Sequence, residues 1–126
     1  MTTRILVIED NPLNLKLVRD VLEFRGFEVL TATTGEEGVT MALSEPPHLV
    51  LMDLQLPGID GHEALQRIRA DQRCDGVPVV AVTAFAMSTD IDRASAAGFD
   101  GYIAKPIDIR NLPAQLAVYL TGGSDV

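Results

Sequence analysis

The sequence predicts an open α/β sandwich, a five-stranded parallel sheet with helices on both faces. Three observations predict it. Short apolar runs recur along the chain, each bounded by turn residues, as strands buried on both faces do. Stretches with helical spacing of apolar residues separate them, the alternation of βαβ units. The connections are short, and short right-handed crossovers make the flavodoxin-like strand order 2-1-3-4-5 the natural one.

The elements follow in order. Residues 4–9 read as the first strand, Arg4-Ile-Leu-Val-Ile closing on Glu9 and Asp10. Pro12 suits the first turn of a helix, and Leu13, Leu17, Val18, Val21 and Leu22 give it one apolar face to about Arg25, where Gly26 stops it. A second strand spans Phe27 to Thr31, and a second helix runs from Gly35 to Leu43, ended by Pro46-Pro47. The third strand is His48 to Met52, closing on Asp53, and the loop Leu56-Pro-Gly-Ile-Asp-Gly61 follows it. Helix three turns Ala64, Leu65 and Ile68 inward as far as Arg69. Val77 to Val82 is strand four with Thr83 at its end, and Ser88 or Thr89 caps an alanine-rich fourth helix that closes at Gly98. Strand five is Tyr102 to Ala104, and a last helix uses Leu112, Leu116, Tyr119 and Leu120. Asn111 is its expected cap, because Pro113 then falls in the first turn, where no N–H is needed. Residues 121–126 read as a flexible tail on one domain covering 1–126, with its core at about 4–120.

Composition narrows the function. A chain of 126 residues, 47% hydrophobic, can bury one sizeable core. A net charge of -8 disfavours nucleic acid and anionic membranes as direct ligands. The single cysteine, Cys74, excludes a disulfide framework and a Cys-rich zinc site. No stretch reads as a signal peptide or a membrane span, so the cytoplasm is the expected compartment.

The chemistry lies at the strand ends. In the order 2-1-3-4-5 strands one and three are neighbours, which gathers Glu9, Asp10 and Asp53 at the carboxyl edge of the sheet, where open α/β folds place their sites. Like charges so close repel unless a cation screens them, and an all-oxygen set suits Mg²⁺. The ordinary alternative for an acid at a strand end is a helix cap, and for a terminal lysine such as Lys105 a snorkelling surface residue.

The four segments Ile-Leu-Val-Ile-Glu9-Asp10-Asn11, Leu-Met-Asp53-Leu-Gln-Leu-Pro57-Gly58, Ala-Val-Thr83-Ala84 and Tyr102-Ile-Ala-Lys105-Pro106 stand in this order, each at a strand end. Together they resemble the signature of response-regulator receiver domains, across roughly residues 4 to 120. The opening Glu-Asp-Asn-Pro-x-Asn14 is similar to single-domain regulators of the polar-differentiation type and to receivers of hybrid kinases. The resemblance implies that Asp53 accepts a phosphoryl group from a phosphohistidine on a sensor histidine kinase or a histidine phosphotransfer protein. It implies Mg²⁺ on Asp10, Asp53 and the Gln55 main-chain carbonyl, with Glu9 acting through a metal-bound water. Lys105, before a commonly cis Pro106, would pair with Asp53 and then with a phosphoryl oxygen. The Thr83 hydroxyl and the Ala84 backbone N–H would meet the same group, and Tyr102 would be an aromatic switch turning inward as Thr83 moves. Phe85 could shield the acyl phosphate from water.

This makes the chain a switch rather than a turnover enzyme. It is expected to be monomeric and to signal by docking a downstream protein through helix four, strand five and helix five. A relay intermediate passing the group to a histidine phosphotransfer protein uses the same Asp53 chemistry. An aspartyl-nucleophile phosphatase wants a second acid two residues after the nucleophile, where this chain has Gln55. A flavin module wants a phosphate loop after strand one, where Glu9-Asp10 repels phosphate. A pseudo-receiver would lack part of the acid, threonine and lysine set, and nothing is missing. His48 and His62 have no metal-ligand spacing, Met41, Met52 and Met87 are packing residues, and Asn11 and Asn14 shape the first loop and helix turn.

Overall fold

The computed structural model describes residues 2–84 and 88–120. Five strands, β1 (Arg4–Ile8), β2 (Glu28–Ala32), β3 (Leu49–Asp53), β4 (Val79–Thr83) and β5 (Gly101–Ala104), form one sheet in the order β2-β1-β3-β4-β5. Every neighbouring pair is parallel. The helices are α1 (Pro12–Phe24), α2 (Gly35–Ser44), α3 (Gly61–Arg69), α4 (Ser88–Ala97) and α5 (Leu112–Leu120). The expected α/β sandwich and its strand order are both present.

The sheet is buried on both sides because its side chains alternate. Leu6, Ile8, Val50, Met52, Val79 and Ala81 cluster with Ala64, Leu65 and Ile68 of α3 and with Val39 and Ala42 of α2. Ile5, Val7, Leu49, Leu51, Val80 and Val82 cluster with Val18 and Leu22 of α1 and with Leu112 and Leu116 of α5. β3 and β4 are buried along their whole length. The only place where a polar side chain on these central strands can reach water is at their ends.

Several boundaries fall later than the sequence suggests, and each has a local reason. Phe27 does not begin β2, because its N–H donates to the Leu22 carbonyl and closes α1 across Gly26, whose φ is +92°. Val77 does not begin β4, because its N–H donates to the Cys74 carbonyl in a turn. That turn follows a single 3₁₀ turn, Gln72–Cys74, which the sequence pattern does not announce; Asp71 caps it by accepting from the Arg73 N–H. α4 starts at Ser88, earlier than a cap at Ser88 or Thr89 would allow, and residues 85–87, which precede it, lie outside the described residues. Asn111 immediately precedes α5 as expected, and its side-chain amide donates to Asp108 at 2.8 Å.

α1 departs from its expected single apolar face. Val18 and Leu22 are buried, but Leu13 is 64% and Leu17 44% exposed. At 100° per residue, positions 13, 17 and 24 fall on one stripe well away from 18 and 22. The helix therefore carries a core stripe and a second, outward apolar stripe that ends in exposed Phe24. Among the described residues no helix is long and apolar enough to cross a membrane.

Candidate functional site

The register decides where the acids meet. β1 and β3 pair up to Ile8 opposite Met52, so Glu9 and Asp53 leave the sheet at the same level on adjacent strands. Glu9 is 5% and Asp53 2% exposed, while Asp10 lies in the open. One carboxylate oxygen from each of Glu9, Asp10 and Asp53 lies within 4.8 Å of the others. Of the expected ligand set, these three are brought together by side chain.

The two buried carboxylates, Asp53 and Glu9, are held by their neighbours. Asp53 Oδ1 accepts from the Gln55 N–H at 2.8 Å, and Asp53 Oδ2 accepts from Lys105 Nζ at 2.6 Å. Glu9 Oε2 accepts from the Asn11 N–H at 3.0 Å. Lys105 reaches the pocket because its N–H donates to the Thr83 carbonyl at 2.8 Å, which continues the β4–β5 ladder past Thr83 opposite Ala104. The Lys105–Pro106 bond is cis. Thr83 ends β4 as a buried residue, Ala84 follows it exposed, and the Tyr102 side chain stands outward at 42% exposure.

The electrostatics follow from burial and crowding. Loss of water around the Glu9 carboxyl pushes its pKa up, the Asn11 N–H pulls it down, and the Asp53 charge pushes it up again, to about 7 from an ordinary 4.5. For Lys105, burial opposes the charge, but the hydrogen bond and ion pair with Asp53 and the charges of Glu9 and Asp10 outweigh it, so its pKa lies above the ordinary 10.5. One ammonium thus faces three carboxyl groups. That all-oxygen donor set, with an excess of negative charge at short range, fits a hard divalent cation.

A cleft of about 420 Å³ opens beside this pocket between α1 and the segment after β5. It is lined by Asn14, Leu17 and Val18 on one side and by Lys105, Pro106 and Ile107 on the other. Lys105 is common to both, so the acid pocket and the cleft share a wall.

The response regulator receiver domain family matches residues 5–117 of the chain. The chain belongs to that family. Over 120 residues this receiver is 39% identical to the polar-differentiation response regulator DivK of Brucella ovis, spanning 95% of the chain and 98% of that protein. Among solved structures, it is 32% identical to the receiver domain of a sensor histidine kinase of Pseudomonas aeruginosa, with a TM-score of 0.87 over 95% of this chain and 98% of that one. That relative has a magnesium ion coordinated in its active-site cleft. The chemotaxis response regulator CheY4 of Vibrio cholerae shares the fold, with a TM-score of 0.90 at 22% identity over 94% of this chain and 99% of its own.

Other candidates are structural in this receiver. His48 Nδ1 accepts from the Arg4 N–H at 2.9 Å and so extends the β1–β3 pairing. His62 packs edge-on against Phe99. Cys74 is buried, its thiol donates to the Ala42 carbonyl, and loss of hydration raises its pKa. Met52 is core and Met41 packs against it. Phe85, Met87 and the tail 121–126 lie outside the described residues. The tie from the Asn11 main chain to Glu9 is the feature that sequence reasoning misses. Asn followed by Pro after two acids is the available signal, and by itself it indicates only a shaped loop.

Proposed function

We propose that this receiver accepts a phosphoryl group from a phosphohistidine onto Asp53 and signals through protein docking that depends on that group. The observation that carries the proposal is Asp53 itself, a buried carboxylate paired with Lys105 at 2.6 Å and crowded by Glu9 and Asp10. A carboxylate is a weak nucleophile, so the reaction rests on positioning and on neutralising the phosphoryl oxygens. An Asp53 oxygen forms the new O–P bond as the N–P bond of the donor breaks, and the bonding pair returns to the imidazole nitrogen.

Residues of this chain supply the rest. Lys105 is placed to shift from the carboxylate to a phosphoryl oxygen. Thr83 and the Ala84 N–H, at the end of the adjoining strand, are the donors for the remaining oxygens. Asp10, Asp53 and the Gln55 main-chain carbonyl would hold Mg²⁺, with Glu9 through a water. Bound there, the ion supplies positive charge against the phosphoryl oxygens.

The donor, a sensor histidine kinase or a histidine phosphotransfer protein, approaches the open edge beside exposed Leu13 and Leu17. The downstream protein reads the surface of α4, β5 and α5, where Tyr102 stands outward and can turn in as Thr83 moves. This reading places a monomer in the cytoplasm. The test is incubation with acetyl phosphate and Mg²⁺ followed by intact mass. A single phosphate-sized gain in wild type and none in Asp53→Asn is expected, and a gain retained by Asp53→Asn would overturn the proposal.

A further inference from the structure

The Glu9-Asp10-Asn11-Pro12 segment contains a relay from side chain to main chain that reaches the acid pocket. Asn11 caps α1: its Oδ1 accepts from both the Leu13 N–H at 3.0 Å and the Asn14 N–H at 3.1 Å. Pro12 has no N–H to offer, so one side-chain oxygen satisfies the free donors of the first turn that follow it. This capping holds Asn11 in extended backbone, φ −83° and ψ 116°. In that conformation its own N–H points back to Glu9 Oε2 at 3.0 Å.

We propose that Asn11 is a positioning residue for the acid pocket: its side-chain cap fixes the main-chain N–H that holds the Glu9 carboxylate beside Asp10 and Asp53 for cation binding. Asn11 itself need not touch the cation. Without its cap the first turn frays, the N–H loses its aim, and a nearly buried carboxylate loses its main-chain donor. The inference rests on the reading that the acid pocket binds Mg²⁺.

The experiment is magnesium titration by calorimetry on the whole chain at pH 8, with thermal unfolding run alongside. Asn11→Ala removes the acceptor, Asn11→Ser restores a shorter one, and Asn11→Gly is a well-tolerated cap substitution that lacks an acceptor and guards against an unfolded alanine variant. Fivefold or greater weakening in Asn11→Ala and Asn11→Gly, with Asn11→Ser within about twofold of wild type, is expected. Wild-type affinity in Asn11→Gly overturns the inference, as does Asn11→Ser binding as weakly as Asn11→Gly, because a purely structural cap changes the unfolding temperature without moving the affinity. A wild type that takes up no magnesium overturns the acid-pocket reading first, and the inference falls with it.

Discussion

Replacing Glu9 with glutamine should stabilise the metal-free protein, and only at neutral to alkaline pH. Glu9 has a pKa of about 7 in the fold against an ordinary 4.5. A carboxyl group whose pKa rises on folding favours the folded state while it is protonated. Its contribution is complete below pH 4.5, is lost as the pH climbs, and is gone above about pH 7. At about 1.36 kcal/mol per pH unit the gap amounts to roughly 3 kcal/mol of lost stability at pH 8. A glutamine side chain does not titrate and keeps an oxygen for the Asn11 N–H, so Glu9→Gln should recover about 2–3 kcal/mol at pH 8 and under about 1 kcal/mol at pH 5. Urea unfolding followed by circular dichroism in EDTA, across pH 5 to 8.5, reads the difference. With saturating magnesium the gain should shrink or reverse, since the cation stabilises whichever form binds it more tightly. A Glu9→Gln protein no more stable than wild type at pH 8 in EDTA, or equally stabilised at pH 5, would refute the account of a crowded, desolvated pocket.

The other predictions use different parts of the molecule. Lys105→Met strands the buried Asp53 charge; because the lysine side chain is 24% exposed, the usual cost of breaking a buried pair falls to about 2 kcal/mol in EDTA, measured by the same unfolding. Gly38→Ala places a methyl group against the Ile8 side chain, so either Ile8 must repack or α2 must shift from β1; calorimetric unfolding should show a loss of about 1–3 kcal/mol. Leu13→Lys with Leu17→Lys should change stability by less than about 0.5 kcal/mol. It should slow phosphotransfer from a phosphohistidine donor at least tenfold while leaving acetyl phosphate labelling unchanged, and equal slowing of both would count against the outward stripe of α1 as a docking face.

Strand order and the meeting of the acids are legible in the sequence because both follow from a few strong constraints. A run such as Leu49-Val-Leu-Met has no polar side to show water, so it must lie centrally, and its first charged residue must mark the edge. The boundaries are less legible because they are settled by single hydrogen bonds. Phe27 is as apolar as any strand residue, and only its bond to Leu22 across Gly26 assigns it to the end of α1. The outward leucines of α1 escape sequence reasoning because partly buried Val21 lies between the two stripes, and spacing of three and four then reads them as one broad face. The Asn11 tie to Glu9 is out of reach for another reason: it uses a main-chain N–H, which every residue but proline possesses.

Charge balance explains why these residues occur as a set. With all groups ionised, three carboxylates against the Lys105 ammonium leave two negative charges in a pocket whose members Glu9 and Asp53 are almost dry. A bound divalent cation would bring that sum to zero. A phosphoryl group on Asp53 then replaces one negative charge by about two, so the modified pocket differs from neutrality by only about one charge. Removing Lys105 or one acid upsets this balance in opposite directions. Lysine loss deepens the repulsion that the fold already carries, whereas loss of an acid relieves it and weakens the hold on the cation. Stability and cation affinity are therefore expected to move oppositely in acid variants, and the lysine variant should lose stability while its hold on the cation tightens. An ordinary cluster of surface charges, screened by water and salt, has no reason to couple the two quantities at all.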